Sequence, residues 1–200
     1  MQSNPLFGEH KESIMAEKKA ILVLADSLDL NASGDTLDAL RKKAALLPHA
    51  DCAGLAAVAE KLGAVKTDAS GIQAALDGAK EDSVLVMVEG DALAAALEAA
   101  DRRTLVIVAT GKGAAFHGLA INAKAGTVER AVNAQDIAVT IATIADLPVD
   151  ENCTGAIIYQ VMKNPNLKLD EIRKLKEALV RMESVIQRDN REPWDKHDCA

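Results

Sequence analysis

Acidic, hydroxyl and glycine residues follow directly on three short apolar runs of this sequence. Ala20-Ile-Leu-Val-Leu-Ala25 leads into Asp26, Ser27 and Asp29. Ser83-Val-Leu-Val-Met-Val88 leads into Glu89, Gly90 and Asp91. Thr104-Leu-Val-Ile-Val108 leads into Thr110-Gly111-Lys112-Gly113 and then Phe116-His117-Gly118. Ligands of an open parallel sheet sit beyond the carboxyl ends of its strands. If the runs are neighbouring strands, these groups converge.

Two chemistries are available to them. Asp26, Glu89 and Asp91 can form an oxygen-rich site for a hard cation such as Mg²⁺ or Mn²⁺. The same acids can simply be solvated or cap helices, and Asp91 is placed to N-cap 92–100. Thr110, Gly111, Lys112 and Gly113 form a glycine-rich turn whose N–H groups can cradle a phosphate, with a plain loop as the competing reading. It is not a P-loop, because G-x-x-x-x-G-K-[ST] is absent. His117 can ligate a metal or titrate near neutrality, although a lone loop histidine more often does neither.

The elements that position these residues follow from the apolar pattern. The three runs read as buried parallel strands, and 118–123 as a fourth. Thr36–Leu47, Gly54–Leu62, Ser70–Ala79, Asp91–Ala100 and Asp136–Ala145 read as helices, with 154–162 as a further candidate. Asp35 is a candidate N-cap, Gly63 a helix stop, and Asp136 suits a first turn. Alternating strands and helices predict an α/β fold, a three-layer sandwich around a mostly parallel sheet. A C-terminal amphipathic helix follows Asn164-Pro165. From Ile172 its apolar residues, Ile172, Leu175, Leu179, Met182 and Ile186, are spaced 3-4-3-4, the seam of a coiled coil. That seam either packs on the chain's own sheet or forms a homodimer through 168–188. The expected organisation is a mobile tail over 1–18, an α/β core over 19–163, the helix over 166–190 and a loose tail over 191–200.

Composition narrows the partners. The formal net charge is −7 and the sequence has one Trp, one Tyr and two Phe. Arg41-Lys42-Lys43 is a single short basic run, so no basic stripe exists to displace phosphate counterions, and nucleic acid is not an expected partner. Cys52, Cys153 and Cys199 are odd in number and form no C-x-x-C, which suits a reducing, cytoplasmic setting. No run of eighteen apolar residues is present, so no membrane span is expected.

Several stretches resemble the alkaline phosphatase superfamily, in the same order over roughly 19–162. Ile21-Leu-Val-Leu-Ala-Asp-Ser27 resembles the opening strand whose terminal Asp holds a metal. Gly34-Asp-Thr-Leu-Asp-Ala-Leu40 resembles the "TPxLDAL" helix start, and Leu55–Val65 the helix before the second strand. Thr104–Thr110 resembles the strand before the Asp-His-Gly motif. His117–Gly126 resembles the stretch leading into "PLIIKGPG". Val132–Leu147 resembles the "DIAPTIAxLLGLP" helix, and Asn152-Cys-Thr-Gly155 the "DxDG" turn. Phosphopentomutases and cofactor-independent phosphoglycerate mutases share this core, and the type I phosphodiesterases belong with them. The C-terminal helix is outside the resemblance.

The resemblance implies two metals, an Asp/His shell and a Ser or Thr nucleophile. Asp26 matches the first ligand and His117 the last histidine. The Asp-His-Gly motif falls on Gly111-Lys112-Gly113, so one ligand is a glycine and the next an ammonium. At about 4 Å a like charge costs on the order of 1 kcal/mol per unit charge even when well screened. The remaining Asp/His pair falls on Asp91 and Ala95. Ser27 and Thr36 are the nucleophile candidates. The expectation is a shortened, degenerate member without two-metal catalysis and without a cofactor, binding a small phosphorylated or anionic ligand or serving assembly. Lys112 either holds the anion or pairs with Asp26. The alternative is a metal-dependent phosphoester hydrolase or phosphomutase-like enzyme with one Mg, Mn or Zn ion on Asp26, Asp91 and His117.

Overall fold

The computed structural model describes residues 18–79, 83–149 and 152–189. The expected tails, apart from Lys18, lie outside them. The chain divides into two compact units between Lys163 and Asn164.

In the first unit the three apolar runs form β1 (Lys19–Leu24), β4 (Val84–Glu89) and β5 (Thr104–Thr110). They lie side by side and parallel, with β1 in the middle. The helices are α1 (Asp35–Arg41), α2 (Leu55–Lys61), α3 (Ile72–Gly78), α4 (Leu93–Ala99) and α5 (Ala134–Ala145). Three shorter strands complete the sheet: β2 (Ala45–Leu47), β3 (Val65–Thr67) and β6 (Gly113–Gly118). The strand order is β2-β6-β5-β1-β4-β3. β6 runs antiparallel to β5 and to β2, and β3 runs parallel to β4. The fold is therefore α/β with a mostly parallel six-stranded sheet.

The pleat sends alternate side chains to opposite faces. Ile21 and Val23 of β1, with Val86, Val88, Val106 and Val108, join Leu37, Leu40, Ile72, Leu76, Leu93 and Ala96 from α1, α3 and α4 in one core. Ala20, Leu22, Leu85, Met87, Leu105 and Ile107 alternate with them and are also fully buried. α2 and α5 pack against each other, α2 against β4 and α5 against β1 and β5. Strands covered on both sides need continuous apolar runs, which is why these three were readable. Each buried Val, Leu or Ile contributes roughly 1.5–3 kcal/mol relative to exposure.

α5 follows from its own pattern. Ile137, Ile141 and Ile144 repeat at helical spacing and are buried. Asn133 and Asp136 form a reciprocal capping box at its start. Asp136 also accepts the Ala156 N–H at 2.6 Å, and the buried Thr140 hydroxyl accepts the Ile158 N–H at 2.9 Å, tying 152–158 to the helix.

Four expectations are corrected. The helix expected over Thr36–Leu47 ends at Arg41, and Ala45–Leu47 is an edge strand held by β6. The fourth strand lies at Gly113–Gly118, not 118–123. Residues 154–158 are not helical, and only a 3-10 turn, Tyr159–Val161, occurs there. The caps of α1 and α4 are the Gly34 and Ala92 backbones, so neither Asp35 nor Asp91 caps a helix.

The second unit contains α6 (Leu167–Asp189). Leu169, Ile172, Leu175, Leu179, Val180, Met182, Val185 and Ile186 are all exposed on it. Among the described residues no helix is long and apolar enough to cross a membrane.

Candidate functional site

A cleft of about 1050 Å³ opens at the carboxyl ends of β1, β4 and β5. Backbone hydrogen bonds continue past the strand ends and fix its floor. Ala25 N–H donates to Ala109 O (2.9 Å), Gly90 N–H to Leu24 O (2.8 Å) and Gly111 N–H to Asp26 O (3.2 Å). Asp26, Ser27, Glu89, Thr110 and Gly111 all line the cleft.

One wall comes from the loop between β2 and α2, which brings His49, Asp51 and Cys52 to the cleft. Two backbone bonds seat this loop, Val132 N–H to His49 O (3.2 Å) and Asp51 N–H to Val132 O (2.9 Å). Asp51 accepts the Ala53 N–H at 3.0 Å in a local turn. His49 Nε2 lies 3.0 Å from Glu129 Oε2. The Cys52 thiol points to Gly113 O at 3.7 Å. Burial, opposed by a backbone hydrogen bond and reinforced by Asp51 and Asp26, pushes its pKa up to about 11. A thiol at that value is almost wholly protonated near neutrality and is a poor nucleophile. Residues 48–53 were missed as site residues because no local signal links them to the strand ends. The Pro48 break was the one hint that a loop lay there.

The glycine-rich turn is a β-hairpin connection. Thr110 pairs with Gly113, leaving Gly111 and Lys112 as the two-residue loop. Thr110 is buried, its hydroxyl donates to Gly113 O (3.0 Å), and it accepts the Lys112 N–H (3.2 Å). The Gly111 and Lys112 N–H groups are thus both used inside the protein, which removes them from a phosphate cradle. Lys112 is exposed, does not line the cleft and makes no ion pair with Asp26. The pairing with Asp26 foreseen for it is not formed.

Gly111 has a steric reason. A Cβ there would stand 3.0 Å from the Asp26 carbonyl oxygen, so a side chain must push two strand ends apart. At Gly113, where φ is +147°, a Cβ would stand 2.7 Å from Leu47 O.

His117 and Asp91 are not gathered with Asp26. Because β6 runs antiparallel, His117 pairs with Val106, four residues before Thr110 on β5. That places it about 13 Å down the sheet from the cleft end. It is half-buried there beside Lys43. Burial lowers its pKa, the Lys43 carbonyl opposes this, and the Lys43 charge adds to the lowering. Its Nδ1 is buried and has no hydrogen-bond partner among the described residues. Asp91 is exposed and does not line the cleft, and neither does Thr36. Ser27 lines it, and among the described residues no side chain hydrogen-bonds its hydroxyl.

The donor set does not fit a two-metal centre. Among the described residues no group of three or more His, Cys, Asp and Glu side chains comes together to hold an ion. The carboxylates that do line the cleft are otherwise engaged or isolated. Glu89 pairs with Lys66 at 2.6 Å, and both are about half exposed, so that pair adds little stability.

Comparison with protein-family models, curated proteins and solved structures returned no match.

Proposed function

We propose that this chain is an assembly subunit, an α/β domain that associates through its C-terminal helix and does not carry out two-metal phosphoryl chemistry. The alkaline phosphatase-like core is part of the same reading, supported by the order of the stretches around Asp26, Thr104–Thr110 and Val132–Leu147.

The single observation that carries the assembly reading is an imbalance of apolar surface. α6 exposes eight large hydrophobic side chains on one helix. Among the described residues of the α/β unit, the exposed large hydrophobics are Val65, Val149 and Tyr159. An apolar face of that extent marks an interaction site. In proteins most helical stability comes from packing of an amphipathic face rather than from propensity. The surface most like the exposed face of α6 is another α6.

The anion-binding alternative is weaker on this geometry. Asp26, Asp51 and Glu89 line the cleft, while Lys112 does not. His49, the one lining side chain able to carry positive charge, is already against Glu129. A reduced-site hydrolase would need Asp26, Asp91 and His117 together, and only Asp26 is at the cleft.

Light scattering of the full chain and of a chain ending at Lys163 tests the proposal. The full chain is expected at a multiple of its mass and the truncated chain as a monomer. Two monomers of equal stability would overturn it.

A further inference from the structure

No further inference is drawn: the strongest candidate, the cleft at the carboxyl ends of β1, β4 and β5 as a site for an organic cation on the Asp26, Asp51 and Glu89 carboxylates that line it, rests on a cluster of exposed acidic side chains with no second feature among the described residues that points to such a ligand.

Discussion

The Gly111 N–H donates to the Asp26 carbonyl across 3.2 Å, and a Cβ at 111 would stand 3.0 Å from that oxygen. The glycine that the resemblance aligns with a metal ligand is thus also the residue that lets the β1 and β5 ends approach. Putting a carboxylate there is a steric change before it is a ligand. Gly111→Asp is expected to lose about 1–2 kcal/mol of stability in urea unfolding. Calorimetry with Mn²⁺ or Zn²⁺ should show no stoichiometric uptake by either chain, since Asp91 and His117 stay away from the cleft. Tight uptake by Gly111→Asp at unchanged stability would contradict this.

Gly113 makes a stricter demand. Its φ of +147° and the 2.7 Å approach of Leu47 O leave no room for a Cβ. Gly113→Ala should therefore cost about 2–3 kcal/mol, more than Gly111→Ala. Urea midpoints of the two variants measured side by side decide the ranking, and the reverse order would show that the hairpin end does not press on β2.

His117 gives the fold an acid sensitivity. Its folded pKa is lowered by burial and by Lys43, so the unfolded chain takes up the proton first. Stability is unaffected well above the unfolded pKa of about 6.5, falls as pH drops below it, and levels off beneath the folded pKa. His117→Gln should lose less stability than the parent between pH 7.5 and pH 5.5, values chosen at roughly one unit on either side of the unfolded pKa. Equal losses in the two chains would show that the ring is not held neutral.

Cys52 should be unreactive in place. A pKa of about 11, raised by burial from the ordinary thiol value of 9.0, lowers the thiolate fraction on the order of 100-fold near pH 8. Alkylation by iodoacetamide, followed by mass spectrometry, should be far slower at Cys52 in the folded chain than in urea. Comparable rates would mean that the thiol is open and ionised, and would reopen a nucleophilic role for it.

Local pattern revealed the centre of the sheet and little of its margins. β1, β4 and β5 are apolar on both faces, so their sequences mark them without a partner in view. β3 is Val65-Lys66-Thr67, mostly exposed, and carries no such mark. β2 hides in Ala44-Ala45-Leu46-Leu47, which continues a helical pattern and becomes a strand only because β6 lies beside it. The site divided the same way. Asp26, Ser27, Glu89 and Thr110 were found because strand ends are legible. His49, Asp51 and Cys52 were not, because the pairing of Ala50 with Val132 that seats their loop is long-range. His117 was misplaced by the direction of one strand: an antiparallel β6 carries it towards the opposite end of the sheet.

The central claim is association through the exposed seam of α6, and the solution mass of Leu179→Glu beside the parent chain tests it most directly. Leu179 is the middle residue of the seam from Ile172 to Ile186 and is 64% exposed, so its replacement should leave the α/β unit's urea midpoint unchanged. The parent is expected at twice the chain mass and Leu179→Glu as a monomer. A parent that stays monomeric at every concentration, or a variant that keeps the doubled mass, would contradict the account.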